Sequence, residues 1–434
     1  MKISGVMLSS ASNILSMNCF RRALIKLTFS RYLKIQSIRL WASSTRKDES
    51  SPTSEENVEK SKASVEELLS DSVVGKEQKP TTPEEIWATT VYPKSERRIQ
   101  ARNRLAPRVD PRETSIILFP GQGAQAVGMG KDLLKFPVVK DLFEAASEIL
   151  GYDLLKLCLN GPKEKLDKTI YCQPAIFVCS IAALERLVEE RPASVENCVA
   201  TAGFSVGEIA ALVFAGSLTF ENGKFISYDL DLNLVKVRAE AMQYASEITP
   251  CGMATVLYGP DSQLGYACLK AKEWCKEQGI ENPVCKIANY LYPHCKVVAG
   301  NLKALEFLEK NASTYKLKRI RRLPVSGAFH TDLMRPAAEP FKAALKKADV
   351  KDPVISVHSN VDGKRYSNAN HVIRQLPKQI YRSVKWEQTL HVLYERPEGE
   401  YFPKTFECGP GSSLKTILKM FNVMYCSITW MMEY

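Results

Sequence analysis

The sequence lacks the features of a metal-binding or membrane-spanning protein. Its 12 cysteines are scattered, without a Cys-x-x-Cys pair and without a Cys/His cluster at the spacing of metal ligands. This pattern favours free, mostly buried thiols in a reducing compartment. A run of about 18 apolar residues, which a transmembrane helix needs, is also missing. The stretch at 209–218 comes closest and is too short. We therefore expect neither a metal site nor a membrane span.

Acidic residues are absent from residues 1–47, which contain nine Lys or Arg. Without this segment, 50 of the 59 basic residues remain against 48 acidic ones, so the net charge of +11 falls to about +2. The rest of the chain is nearly neutral, which argues against nucleic-acid binding. Residues 1–47 are rich in Ser, and 24–39 can form an amphipathic helix, as is typical of a mitochondrial transit peptide. We predict the mitochondrial matrix as the location; a basic disordered tail is the alternative.

The following residues, 48–110, are rich in Ser, Thr, Glu, Lys and Pro and have few apolar residues. They cannot bury enough apolar surface to fold alone, so their composition predicts a disordered linker. From Ser115 onward, buried strands alternate with helices. The strands are predicted at 115–119 and 198–203, and the helices at 138–150, 173–190 and 206–214. This alternation predicts an α/β core with a parallel sheet that is covered on both faces.

The pattern changes between residues 252 and 319. Short strands are predicted there at 253–257, 284–288 and 296–299, and helices at 261–278 and 302–310. This order indicates a small α+β insert at 252–319, which divides the core into 111–251 and 320–434. The main sheet is predicted to resume with strands at 322–325, 354–359 and 405–408.

The turn GFSVG at 203–207 lies between a predicted strand and a predicted helix. In such a turn the chain reverses sharply, which strains the backbone of the serine and raises its hydroxyl above the sheet. Glycines on either side remove Cβ atoms that would clash. The N–H groups at the start of the helix point at the same place and would stabilise an oxyanion. We predict Ser205 as the nucleophile of an acyl-transfer enzyme; the alternative is a glycine-rich helix start that serine caps.

A serine nucleophile needs a base, and the sequence contains only five histidines. His330 follows the segment 324–329, which reads as a strand leading into a glycine-containing loop. We therefore expect His330 at the carboxyl end of a core strand, where α/β enzymes keep their sites. Structural roles are expected for the remaining histidines, which are His294, His358, His371 and His391.

Several segments together resemble one family. They are FPGQGAQ at 119–125, QPA at 173–175, GFSVGE at 203–208, RAEAMQ at 238–243, NY at 289–290, GAFH at 327–330 and GPG at 409–411. Their order and spacing resemble the malonyl-CoA:acyl-carrier-protein transacylases, and the mitochondrial form in particular. The resemblance spans roughly residues 115–420. It implies a hydrolase-like α/β core with a mostly parallel sheet and an inserted ferredoxin-like subdomain.

The resemblance also implies a ping-pong reaction in mitochondrial fatty acid synthesis. Ser205 would attack the thioester of malonyl-CoA with His330 as general base, and the phosphopantetheine thiol of acyl carrier protein would then accept the malonyl group. The main-chain N–H groups of Gln122 and Val206 would form the oxyanion hole. Arg238 would hold the free malonyl carboxylate, to which arginine can offer two parallel hydrogen bonds.

Further roles follow from the same resemblance. Gln173 and Asn289 would bind substrate, and the bulk of Phe329 would exclude branched acyl groups. In relatives, a residue at the position of Lys385 orients the catalytic histidine through its main-chain carbonyl, so we predict this role for Lys385. No cofactor is expected beyond the substrate and the phosphopantetheine of the carrier protein.

The sequence also departs from the family. Phe204 stands where many relatives have histidine, and the stretch at 224–233 looks about eight residues longer than in relatives. If these residues extended a helix, they would displace Arg238. The tail after Lys419 has no clear counterpart. Two alternatives stay open: a thioesterase- or esterase-like serine hydrolase with the same serine and histidine, and an inactive scaffold.

The densest basic run outside the N-terminal segment lies at 316–322. Its basic residues are Lys316, Lys318, Arg319, Arg321 and Arg322. Because acyl carrier proteins are strongly acidic and complementary charge speeds encounter, this run is a candidate docking patch, the alternative being an ordinary solvated face. The family resemblance leads us to expect a monomer.

Overall fold

The computed structural model describes residues 109–219, 228–396 and 400–422. The predicted transit peptide at 1–47 and the predicted linker, up to residue 108, lie outside these residues. So do residues 224–227 of the long stretch and the tail from residue 423 onward.

The described strands form three sheets. They are β1 (Ser115–Phe119), β2 (Cys198–Gly203), β3 (Leu218–Thr219), β4 (Cys251–Leu257), β5 (Cys285–Tyr292), β6 (Cys295–Asn301), β7 (Arg319–Arg322), β8 (Asp349–Val350), β9 (Ser356–His358) and β10 (Lys404–Glu407). The main sheet has the order β10-β1-β2-β9, and each neighbouring pair is parallel. A short antiparallel pair joins β3 and β8.

Helices flank these sheets. They are α1 (Pro137–Leu150), α2 (Leu154–Asn160), α3 (Lys163–Leu166), α4 (Thr169–Glu190), α5 (Pro192–Glu196), α6 (Gly207–Phe214), α7 (Tyr228–Ile248), α8 (Leu264–Glu277), α9 (Leu302–Lys310), α10 (Ala338–Leu345), α11 (Ala369–Gln375), α12 (Trp386–Tyr394) and α13 (Ser413–Asn422). Short 3-10 turns lie at Pro111–Glu113, Lys131–Lys135, Asp332–Ala337 and Leu376–Ile380. The central strand β1 is buried along its whole length, as its continuous apolar run SIILF requires.

The segment from β4 to β7 forms the small subdomain. Its elements follow in the order β4-α8-β5-β6-α9-β7, and its antiparallel sheet has the strand order β5-β6-β4-β7. This order, with two helical crossovers, is that of a ferredoxin-like fold. The expected combination of a parallel α/β core and a ferredoxin-like insert is therefore confirmed.

One strand was predicted in the wrong sheet. Residues 322–325 were expected to resume the main sheet, but the strand is Arg319–Arg322 and pairs with β4 of the subdomain. The sequence RIRR exposes every second side chain, a pattern that suits the edge strand of a half-exposed sheet. The ferredoxin-like sheet thus continues past the predicted boundary at 319. His330 consequently follows a loop after a subdomain strand, and its expected place at the end of a core strand is wrong.

The helix α4 is long and apolar enough to cross a membrane by length and composition, and among the described helices it alone passes this test. Its most apolar window is 72% buried inside the protein. This burial is typical of the core helix of a globular domain. The apolar stretch that we singled out in the sequence, 209–218, is a different one and includes the shorter helix α6.

Candidate active site

Close backbone packing shapes the turn between β2 and α6. A Cβ atom at Gly203 would lie 1.9 Å from the carbonyl oxygen of Gly207, and one at Gly207 would lie 2.3 Å from the carbonyl oxygen of Phe119. Only glycine fits at these two positions. Ser205 between them has a φ of 54°, which is rare for a residue with a side chain. The strained turn predicted from the GFSVG sequence is therefore present.

Two amide side chains hold the strained serine in place. The main-chain N–H of Ser205 donates to Oδ1 of Asn360 at 2.7 Å. The carbonyl oxygen of Ser205 accepts from Nε2 of Gln379 at 2.7 Å. Both amides are buried, so the surrounding structure offsets the cost of this backbone conformation.

The structure brings His330 to the hydroxyl of Ser205. Nε2 of His330 lies 2.9 Å from Oγ of Ser205, and Nδ1 lies 2.7 Å from the main-chain oxygen of Gln379. Since a carbonyl oxygen only accepts, the proton of the neutral ring is on Nδ1, and Nε2 accepts from the serine hydroxyl. His330 itself has a φ of 62°, and its N–H donates to the carbonyl oxygen of Ile380.

Burial lowers the pKa of His330 to about 3, and the nearby positive charge of Arg238 lowers it further in the same direction. The imidazole of the resting site is therefore neutral at physiological pH. A neutral ring is the form that can take a proton from Ser205.

This lowered pKa predicts a pH-dependent stability. Between about pH 6.5 and pH 3 the unfolded chain binds a proton at His330 that the folded protein does not bind, so stability falls as the pH is lowered. The slope from this residue reaches about 1.4 kcal/mol per pH unit. We expect the free energy of unfolding, measured in urea, to fall less steeply between about pH 6.5 and pH 5 in the His330→Gln protein than in the wild type.

His358 offers a matched control for this measurement. It is also buried, and burial lowers its pKa to about 4, but no described contact joins it to Ser205. His358→Gln should flatten the same pH profile without affecting acyl transfer. Equal slopes for the wild type and the His330→Gln protein would contradict the assignment of a neutral, buried His330.

Arg238 completes the cluster despite the long stretch before it. Its side chain is buried. Nη2 donates to Oγ of Ser205 at 3.1 Å and to Oε1 of Gln379 at 2.6 Å, and Nη1 donates to Oε1 of Gln173 at 2.6 Å. Burial lowers the pKa of Arg238 to about 10, so it stays protonated at neutral pH. The concern that the residues at 224–233 displace Arg238 is thereby removed.

The predicted oxyanion-hole residues flank Ser205. A Cβ at Gly121 would lie 2.3 Å from the carbonyl oxygen of Phe204, so the loop with Gln122 lies against the nucleophile turn. Val206 directly precedes α6. Within residues 109–219, 228–396 and 400–422, no acceptor is hydrogen-bonded to the main-chain N–H of Gln122 or of Val206. Both donors are available in this state.

The prediction for Lys385 is wrong. The carbonyl that meets His330 belongs to Gln379, six residues earlier in the chain. The carbonyl of Lys385 instead accepts from the N–H and the hydroxyl of Thr389 in the first turn of α12. The ammonium of Lys385 lies 4.0 Å from the centre of the Tyr290 ring. Because α12 starts directly after Lys385, its carbonyl is committed to the helix and is not available to orient a histidine.

The other predicted substrate-binding residues take different places. Gln173 touches Arg238 directly, as described above. Asn289 lies in β5, next to Val384, and its buried Oδ1 has no hydrogen-bond partner in the described part of the chain. Phe329 is buried beside His330. The substrate contacts of Asn289 and Phe329 stay predictions.

Three buried residues of the site were missed in the sequence: Gln379, Asn360 and Glu208. The carboxylate of Glu208 accepts from Nε2 of Gln379 at 2.7 Å, from the hydroxyl of Tyr366 at 2.6 Å and from the N–H of Asn360 at 3.1 Å. Burial raises the pKa of Glu208 to about 7, and these hydrogen bonds oppose the rise. Asn360 follows β9 closely, so the rule for the carboxyl ends of parallel strands could have found it. Gln379 lies in a 3-10 turn that carries no comparable signal.

Comparisons with known proteins agree with this geometry. Residues 116–395 match the model of the acyl transferase domain family. The protein of Drosophila melanogaster named a probable mitochondrial malonyl-CoA-acyl carrier protein transacylase is 56% identical over 336 residues, which cover 76% of this chain and 86% of the relative. The mitochondrial malonyl-CoA-acyl carrier protein transacylase of Homo sapiens is 52% identical over 359 residues, 83% of this chain and 84% of the relative.

A solved structure shares the fold. It is a malonyl-transacylase in complex with its type II polyketide acyl-carrier protein, which is 31% identical with a TM-score of 0.61. The match covers 71% of this chain and 93% of that chain. The fold and the Ser205 site thus define an acyl transferase. Within that class, the chain belongs to the malonyl-CoA-acyl carrier protein transacylase family. The mitochondrial location predicted from the N-terminal segment is confirmed by these relatives.

Proposed function

We propose that this chain transfers the malonyl group from malonyl-CoA to the phosphopantetheine thiol of acyl carrier protein, through a malonyl ester on Ser205, in mitochondrial fatty acid synthesis. The observation that carries the proposal is the buried guanidinium of Arg238, 3.1 Å from Oγ of Ser205. A fixed cation at this distance suits an acyl group that ends in a second carboxylate. A simple esterase needs no such charge.

In the first half-reaction, Nε2 of His330 takes the proton of the Ser205 hydroxyl as Oγ attacks the thioester carbonyl. The N–H groups of Gln122 and Val206 would stabilise the oxyanion, each such donor contributing about 2.7–4 kcal/mol in known enzymes. When the tetrahedral intermediate collapses, the C–S bond breaks and the protonated His330 returns its proton to the sulfur. Free CoA leaves, and malonyl remains on Ser205.

In the second half-reaction, His330 takes the proton of the phosphopantetheine thiol, and the sulfur attacks the ester. Collapse of this intermediate breaks the bond to Oγ, and His330 returns the proton to Ser205. Throughout, Gln379 keeps Nδ1 of His330 on its carbonyl and fixes the tautomer. We propose that no cofactor takes part, since proton transfer and charge stabilisation are supplied by side chains and main-chain groups.

We further propose that the basic patch receives the acidic carrier protein. Lys316, Lys318, Arg319 and Arg321 are exposed. None of them forms an ion pair with an acidic residue in the described ranges. Arg322 differs, because it pairs with Glu309 in a two-pronged contact. Four unpaired cations near the edge strand β7 would attract a negative partner, and this attraction would be screened beyond about 10 Å at 0.1 M salt.

Charge reversal tests the patch. Arg319→Glu/Arg321→Glu should lower kcat/KM for carrier protein by roughly tenfold at low salt, and by less at high salt. Lys346→Glu/Lys347→Glu makes the same charge change at two exposed lysines after α10 and should have little effect. Acylation of Ser205 by malonyl-CoA should be unchanged in both proteins. If kcat/KM for carrier protein did not depend on salt, or if both double variants lost it equally, the basic patch would not be the docking site.

The complete Ser205, His330 and Arg238 cluster comes from a single chain, which supports the proposal that the enzyme works as a monomer.

Steady-state assays decide between transfer and hydrolysis. Malonyl-CoA consumption should accelerate strongly when carrier protein is added, with malonyl-carrier protein as the product. Release of free malonate at a rate that carrier protein does not change would favour the hydrolase alternative.

A further inference from the structure

A buried carboxylate lies behind the active site without touching the reacting atoms. Glu208 is in the first turn of α6 and is fully buried. None of the steps described above uses it. We propose that Glu208 is a positioning residue: its carboxylate fixes the amide of Gln379 and thereby holds Arg238 ready for the malonyl carboxylate. The inference rests on the proposed role of Arg238.

Gln379 connects the two charged residues. Its Oε1 accepts from Nη2 of Arg238 at 2.6 Å, and its Nε2 donates to the carbonyl of Ser205 and to Oε2 of Glu208, both at 2.7 Å. The two ends of a glutamine amide have nearly the same shape, so the partners decide which way it faces. Two acceptors attract the NH₂ end, which leaves the oxygen for Arg238. Removing one of the two acceptors therefore weakens the preference of the Gln379 amide for this orientation.

The indirect link also has an electrostatic consequence. A buried guanidinium is costly without a compensating negative charge, and the charge of Glu208 favours the protonated form of Arg238. A direct ion pair between them would compete with the carboxylate of the substrate for the same N–H groups. The three groups around the carboxylate of Glu208 all donate to it, which favours its ionised form. With the neutral amide of Gln379 between them, ionised Glu208 balances the charge of Arg238 while the guanidinium can still bind malonyl.

The substitution Glu208→Gln removes the negative charge and one acceptor with little change in volume. If its oxygen faces Gln379, its NH₂ group meets the N–H of Asn360, and a buried donor loses its partner. If its NH₂ group faces Gln379, that amide must turn over, which places its NH₂ end against Arg238 and its oxygen against the carbonyl of Ser205. Both arrangements disturb the site, and the second removes the support of Arg238.

Transfer assays with malonyl-CoA and with acetyl-CoA test the proposal, because acetyl has no second carboxylate. Glu208→Gln should lower malonyl transfer roughly 5- to 150-fold, the range expected for an unpaired buried polar group. Acetyl transfer should fall less, so the malonyl/acetyl ratio of kcat/KM falls. In an Arg238→Ala background, Glu208→Gln should change the ratio little further, because the two residues act together.

Tyr366→Phe is the matched control. It removes another donor to the same carboxylate but leaves Gln379 in place. Because this donor helps to hold the pKa of Glu208 down, the comparison is made well above pH 7, where Glu208 is ionised in both proteins. Tyr366→Phe should then keep the malonyl/acetyl ratio within about twofold even if it lowers thermal stability. An equal loss of both activities in the Glu208→Gln protein, or an unchanged ratio, would show a purely structural role and overturn the proposal. If Glu208→Gln does not fold, Gln379→Met, which keeps the main-chain carbonyl at His330, should show the same fall in ratio; an unchanged ratio there would also overturn it.

Arg238→Ala separates this inference from the proposed function. If Arg238→Ala leaves the ratio unchanged, Arg238 does not hold the malonyl carboxylate, and its proposed role and the positioning role of Glu208 both fail. If Arg238→Ala lowers the ratio but neither Glu208→Gln nor Gln379→Met does, only the positioning role of Glu208 fails.

Discussion

Replacing Ser205 with alanine is expected to lower malonyl transfer by about 10⁴-fold or more, as removal of the nucleophile does in other serine enzymes. The hydroxyl is the group that His330 contacts at 2.9 Å and Arg238 at 3.1 Å. Without this hydroxyl, residue 205 has no oxygen that can form an ester with the acyl group. The steady-state rate of malonyl transfer to carrier protein measures the loss.

The Ser205→Ala protein should fold as the wild type does. The contacts that hold the turn, to Asn360 and to Gln379, use main-chain atoms of Ser205 and do not involve the hydroxyl. Thermal unfolding should therefore change little, and malonyl-CoA should still bind. If the alanine variant retained more than a few per cent of the activity, another residue would have to be the nucleophile.

Replacing Arg238 with alanine is expected to have the second-largest effect. Truncating one partner of a buried charge pair costs about 2–5 kcal/mol, which corresponds to a loss of roughly 30-fold to several thousand-fold in kcat/KM for malonyl-CoA. Acetyl transfer should fall less or rise, because acetyl has no carboxylate to pair with the guanidinium. Parallel assays with both thioesters measure this difference.

Arg238→Lys is the matched control for charge. A lysine keeps the positive charge but lacks the two-pronged geometry of arginine, so malonyl transfer should recover only in part. If Arg238→Ala reduced malonyl and acetyl transfer by the same factor, the residue would serve the fold of the site and not the recognition of malonyl.

Local sequence patterns predicted the nucleophile turn well, because its geometry depends on neighbouring residues. The glycines at 203 and 207 face backbone atoms at distances that no side chain allows. Both glycines and the serine lie within five consecutive positions, so the sequence pattern alone indicates the turn. The order of strands and helices in the core was equally accessible, since buried parallel strands appear as continuous apolar runs.

The network behind the nucleophile could not be predicted in this way. Glu208 and Gln379 are 171 positions apart in the chain, and single polar residues in α6 and in a 3-10 turn give no sign that they meet. The error at Lys385 has the same origin: a role that depends on a main-chain carbonyl leaves no trace in the side chain. The error at 322–325 arose because the short run RLPV was assigned to a core strand, although the alternating arginines of RIRR at 319–322 fit an exposed edge strand.

The central claim is that Ser205 carries the malonyl group. Intact-mass measurement of the protein after brief incubation with malonyl-CoA tests it most directly. We expect the wild type to gain the mass of one malonyl group, to lose it when carrier protein is added, and the Ser205→Ala protein to gain none. A malonyl adduct that persists in the Ser205→Ala protein, or one that carrier protein does not remove, would contradict the account.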